Sequence, residues 1–136
     1  MAKILLAEDD MAVRDFVRRA LELDAHDVIC AHDGGEAAQV LDSAVHDFDL
    51  ILADIKMPVM DGIALALKAA RDWPDIPIIL MTGFADQRVR THGLDSLIEE
   101  VIAKPFTLEQ ITAAVSRVLG QAPAGVAARP ATGRRD

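Results

Sequence analysis

The run DLILADIKMPVMDG (residues 49–62) passes from a continuous apolar stretch straight into an acid, then through Met-Pro into a second acid and a glycine. Apolar residues with no polar alternation, bounded by turn residues, read as a strand buried on both faces. Such a strand needs a layer on each side, which points to an α/β sheet. Asp54, at the end of the run, is then either a helix cap or a chemical group. Asp61 is placed to cap the helix that follows, whose Ile63, Ala66, Leu67 and Ala70 recur at helical spacing. That helix stops before Trp73-Pro74, with Trp73 packing on the sheet.

The same alternation extends in both directions. KILLA (3–7) reads as a first strand, followed by Val13, Phe16, Val17, Ala20 and Leu21 at helical spacing, with Asp9 and Asp10 as caps. DVICA (27–31) is a second strand, and Asp33-Gly34-Gly35 opens a helix with Ala37, Val40, Leu41, Ala44 and Val45 on one face. DLILA (49–53) is the third strand, IPIILM (76–81) the fourth and LIEEVIA (97–103) the fifth. The last helix starts from a Thr107/Gln110 capping box and turns Leu108, Ile111, Val115, Val118 and Leu119 inward. Between Gly83 and Ser96 only Val89 and Leu94 could anchor a short fourth helix. Five β-α units imply a five-stranded parallel sheet with right-handed crossovers and helices on both faces.

Composition bounds the function. With 136 residues, the chain is large enough for one substantial core. No apolar run approaches the roughly 20 residues of a membrane helix, and the first ten residues do not resemble a secretory signal. A cytoplasmic protein without membrane contact is expected. The single cysteine, Cys30, lies in an apolar run and reads as a buried structural thiol. The tail, residues 121–136, carries three arginines against one aspartate, which leaves −10 of the net −8 on residues 1–120. So acidic a body repels phosphate backbones and argues against nucleic-acid binding. The tail itself, QAPAGVAARPATGRRD, has too little to bury and is expected to be disordered. His26, His32, His46 and His92 lack metal-ligand spacing and read as solvated. Met57, Met60 and Met81 read as gap-fillers.

What remains is the set of polar residues that end the strands. Glu8 and Asp9 follow the first, Asp54 the third, Thr82 the fourth and Lys104 the fifth. In a parallel sheet these positions share the carboxyl edge, where open α/β sheets place their sites. Crowded carboxylates need a cation or a proton, and an all-oxygen, water-accessible set suits Mg2+. Asp54, in the centre, is placed to attack a phosphoryl group. Lys104 would pair with one phosphoryl oxygen as a point charge and Thr82 would offer its hydroxyl to another.

ILLAEDD, DLILADIKMPVMDG, MTG and AKPF, in this order on these strand ends, resemble the receiver domain of two-component response regulators over residues 3–120. The resemblance implies a flavodoxin-like, doubly wound sheet of order 2-1-3-4-5 with five helices. It further implies phosphorylation of Asp54 by a histidine kinase or histidine phosphotransfer protein. Asp9 would be a direct Mg2+ ligand, Glu8 a water-mediated one and the Lys56 main-chain carbonyl a third contact; Thr82 and Lys104 would sense the phosphate, and the Lys104–Pro105 bond would be cis. Val101 stands where receivers usually carry an aromatic switch residue, so the output face is expected to change through the 84–96 segment.

With residues 1–120 as the receiver and no helix-turn-helix, ATPase or cyclase after Gly120, a stand-alone regulator acting by protein contact is expected, catalysing only its own phosphorylation and dephosphorylation. An alanine-rich receiver with MTGF (81–84) is similar to the CpdR-like cell-cycle receivers of alphaproteobacteria. That similarity implies delivery of protease substrates to ClpXP through ClpX, favoured when Asp54 is unmodified. A phosphate shuttle or sink between histidine-containing proteins is the alternative. Two other classes fit less well. A haloacid dehalogenase-type phosphatase would need an aspartate at Lys56, and a flavodoxin-like carrier would have to place its flavin phosphate against Glu8-Asp9-Asp10.

Overall fold

In a computed structural model, residues 2–43, 47–83 and 96–120 are described. The elements are β1 (Lys3–Ala7), α1 (Met11–Leu23), β2 (Asp27–Ala31), α2 (Gly34–Asp42), β3 (Leu50–Asp54), α3 (Gly62–Asp72), β4 (Ile78–Thr82), β5 (Glu100–Ala103) and α4 (Leu108–Gly120). All five strands are parallel, in the order β2-β1-β3-β4-β5. The expected sheet order is thus the observed one. Four helices lie among the described residues; the expected additional short helix, His46, His92, Ala44, Val45 and the tail fall outside them.

Each buried strand divides its side chains between two layers. Leu5, Ile51, Ala53, Ile78 and Leu80 pack with α2 and α3, whereas Ile4, Leu6, Leu50, Leu52, Ile79 and Met81 pack with α1 and α4. Both alternating sets are apolar because both faces are covered.

The helix starts follow side-chain chemistry. Asp10 accepts from the amides of Ala12 and Val13 at 2.9 and 3.2 Å, Asp33 from Glu36 at 2.7 Å and Asp61 from Ala64 at 2.8 Å. Thr107 and Gln110 satisfy each other's amides at 2.8 and 3.0 Å, the reciprocal box expected there.

Several boundaries and faces differ from expectation. β4 begins at Ile78 rather than Ile76, because Pro77 has no N–H to give the ladder, although its carbonyl accepts from Ile51 at 3.0 Å. β3 and β4 each run one residue further, taking Asp54 and Thr82 into the sheet. β5 is shorter, Glu100–Ala103. On α3 the buried row is Ile63, Leu65, Ala66 and Ala69, and Leu67 is 47% exposed. Phe16 and Leu108 are likewise exposed at the helix surface. Cys30 is only half-buried, since β2 is an edge strand; burial still raises its thiol pKa. Trp73 closes α3 and packs half-buried on the α2–α3 layer, as expected.

Candidate functional site

The carboxyl ends of β1, β3, β4 and β5 bring Glu8, Asp9, Asp54, Thr82 and Lys104 to one edge of the sheet. The strand order reverses between β1 and β3, the place where such sheets open a crevice. Glu8 is fully buried, Asp54 is 6% exposed and Thr82 is buried beside it on the neighbouring strand. Asp9, one residue beyond Glu8, is exposed. Glu8 directly follows β1 and its amide still bonds to Ala31 of β2, whereas Asp9 lies one residue further out, at the rim.

Lys104 ties the edge together. Its Nζ donates to Glu8 Oε1 at 2.9 Å and to Asp54 Oδ2 at 3.1 Å, and its amide donates to the Thr82 carbonyl at 2.7 Å. The Lys104–Pro105 peptide is cis. Glu8 also accepts from the Asp10 amide at 3.1 Å, and its own amide donates to the Ala31 carbonyl at 3.0 Å. Oxygens of Glu8, Asp9 and Asp54 lie within 4.8 Å of one another. One lysine cannot neutralise three carboxylates, and the oxygen-only donor set fits a hard divalent cation such as Mg2+. Beside it opens a cleft of about 380 Å³ lined by Asp9, Ile55, Lys56, Met57, Pro58 and Asp61.

The charges respond to this crowding. Burial pushes the Glu8 carboxyl up from 4.5 to about 7, against the opposing pull of Lys104 and the Asp10 amide, while the charge of Asp54 pushes it further up. Burial works against the Lys104 ammonium, but its bonds to Glu8 and Asp54 outweigh that and its pKa rises. Because folded Glu8 holds its proton more tightly than unfolded Glu8, its contribution to stability is complete below pH 4.5 and lost as pH rises to about 7. In EDTA, the thermal midpoint of the parent should therefore fall across that interval more steeply than that of Glu8→Gln. Parallel profiles would remove Glu8 as the source.

The loop after Asp54 is tightly clamped. The Met60 amide donates to the Pro58 carbonyl at 2.8 Å, a γ-turn centred on Val59 at φ 70°. A β-branched residue rarely adopts that conformation. Val59 is 85% exposed, so packing of its own side chain does not explain the turn. The Met60 carbonyl is instead seated on Gly34, where a Cβ would lie 1.8 Å from its oxygen.

Sequence reasoning missed these glycine contacts, and it missed Arg14, whose Nη1 donates to the Glu8 carbonyl at 2.8 Å. A signal existed for Arg14. It is a cation in the first turn of α1, the end of a helix that disfavours positive charge. The position assigned to an aromatic switch holds Val101, which is 43% exposed on edge strand β5.

A family model described as the response regulator receiver domain matches residues 4–116. The transcriptional regulatory protein CpxR of Escherichia coli K12 is 34% identical over 119 residues, covering 88% of this chain and 50% of CpxR. The chain therefore spans about half the length of the curated relatives it matches. Among solved structures, a CheY-like response regulator receiver domain protein from Methanospirillum hungatei aligns with a TM-score of 0.82 at 28% identity, covering 89% of this chain and 95% of that one. The response regulator TrrA of Thermotoga maritima, solved in complex with Mg2+ and BeF, aligns with a TM-score of 0.77 at 24% identity over 87% of this chain and 99% of its own.

Proposed function

The chain belongs to the response regulator receiver domain family, and from that premise we propose that it accepts a phosphoryl group on Asp54 from a histidine kinase or histidine phosphotransfer protein. The observation that carries this reading is the Lys104 ammonium bonded to both Glu8 and Asp54, at 2.9 and 3.1 Å, on the carboxyl edge of the sheet. In the transfer, an Asp54 oxygen forms a bond to phosphorus as the phosphorus–nitrogen bond of the donor breaks and its electron pair returns to the imidazole.

Glu8, Asp9, Asp54 and the Lys56 main-chain carbonyl would hold Mg2+. Bound there, the ion neutralises charge on the transferring group. Lys104 then exchanges a carboxylate oxygen for a phosphoryl oxygen, and Thr82 turns its hydroxyl to another. No other catalysis is assigned to the chain. Residues 1–120 are the receiver in this reading, with 121–136 a tail.

Phosphorylation replaces the single charge of the Asp54 carboxylate by the roughly −2 of a phosphoryl group, a net gain of about one negative charge, and adds acceptor oxygens, which favours the conformation in which Thr82 and Lys104 both reach the phosphate. A protein partner that prefers one conformation reads the site without touching it. For that output we assign a CpdR-like adaptor role, with ClpX recognising the unmodified form. Its support is Val101, small and exposed where an aromatic would cover the β5 edge.

Titrating labelled protein with purified ClpX, with and without Mg2+ and beryllium fluoride, tests the output. Binding that beryllium fluoride abolishes is the expected result. Equal binding in both states, or none, removes the adaptor; phosphate passed on to a second histidine-containing protein would then favour a shuttle.

A further inference from the structure

We infer that Arg14 is a positioning residue that helps aim the Asp9 carboxylate at the metal position by holding the carbonyl of the preceding residue, Glu8. The inference rests on the Mg2+ reading above. The Arg14 side chain holds one carbonyl, while its backbone makes the first hydrogen bond of α1, a bond any non-proline residue would make. Its main-chain amide donates to the Asp10 carbonyl at 2.8 Å, and its guanidinium Nη1 donates to the Glu8 carbonyl at 2.8 Å. Asp9 lies between those two residues.

The Glu8 carbonyl belongs to the Glu8–Asp9 peptide plane, so fixing its direction fixes the N–Cα axis of Asp9 and narrows the directions its side chain can take. The adjoining bonds hold the rest of the turn: the Glu8 amide is tied to Ala31 in β2, and the Asp10 amide to the Glu8 carboxyl. Arg14 reaches the Glu8 carbonyl from α1 and is itself half-buried. A charged donor suits this task, because a bond from an ionised group is stronger and more directional than a neutral one.

Helix chemistry does not account for this residue, since a cation in the first turn opposes the dipole of α1. Arg18, one turn on, spends its charge differently. It pairs with Asp15 at 3.3 Å and Glu22 at 3.2 Å on the helix surface.

Charge alone and positioning predict opposite signs. A cation near three carboxylates repels a dication, so if Arg14 acted only as a charge, removing it would tighten Mg2+ binding. If it positions Asp9, removing it loosens binding, as loss of a ligand-orienting hydrogen bond does, by about tenfold or more.

Calorimetric titration of the full chain with MgCl2 separates the two, alongside thermal unfolding in EDTA. Arg14→Met should bind Mg2+ about tenfold more weakly while its unfolding midpoint in EDTA stays near that of the parent. Arg14→Lys, which keeps a charged donor, should recover part of the affinity. Arg18→Met, which removes the same charge from the next turn, should bind as the parent does or more tightly.

Mg2+ affinity in Arg14→Met equal to or above the parent's overturns the proposal. Should Arg14→Met fail to fold, Arg14→Gln is judged by the same comparison. A parent that takes up no Mg2+ overturns this inference and the metal reading together. A parent whose binding is lost in Asp9→Asn but kept in Arg14→Met overturns this inference alone.

Discussion

Incubated with acetyl phosphate and Mg2+, the parent chain should gain one phosphoryl group by mass spectrometry, and Asp54→Ala none. The neighbouring acids cannot take over. Glu8 is fully buried and is bonded to Lys104 and the Asp10 amide, which makes it a poor nucleophile. Asp9 is exposed at the rim, whereas Asp54 sits in the strand between β1 and β4 with Lys104 already on one of its oxygens.

Asp54→Ala should remain folded, because Glu8 still partners the Lys104 ammonium and one of three crowded acids has been removed. Loss of uptake with an intact unfolding transition therefore reports chemistry. A phosphoryl group that persists in Asp54→Ala would remove the acceptor assignment. Omitting Mg2+, or replacing Asp9 by Asn, should slow uptake by about 10²–10³-fold, the usual worth of one well-placed charge-stabilising group.

Gly62→Ala should be strongly damaging. Its added Cβ would lie 2.2 Å from the Asp54 carbonyl oxygen and 2.9 Å from the Ile55 Cα. These are backbone atoms of a buried strand end, so no side chain can rotate away. Overpacking of this kind costs about 3 kcal/mol, or a fall of about 10–20 °C in the unfolding midpoint for a domain of this size.

Any backbone shift that relieved the clash would displace Asp54 itself. Phosphoryl uptake at a temperature where the variant is folded should therefore fall as well. Gly120→Ala, whose Cβ would meet nothing within 4 Å, is the control and should cost no stability. Equal midpoints for Gly62→Ala and the parent would show that α3 is not seated on the Asp54 carbonyl.

The parts of the fold that depend on neighbours in the chain were legible in advance. Asp10, Asp33 and Asp61 each cap a helix because a short carboxylate two or three residues upstream of free amides meets them whatever the tertiary contacts. The Thr107–Gln110 box is equally local. The helix faces were less legible. Leu65 and Leu67 are both leucines on α3, and only the direction of its packing against α2 and the sheet buries one and exposes the other.

From the sequence alone came the β-α alternation and, through it, the delivery of Glu8, Asp9, Asp54, Thr82 and Lys104 to one edge, because parallel strands bring all their carboxyl ends to the same side. Tertiary structure decided how those groups are used. It buried Glu8 and joined Lys104 to two acids from different strands. These outcomes follow from strand order and from the helix layers packed on the sheet. They belong to the packed assembly of elements and to no single stretch of the chain.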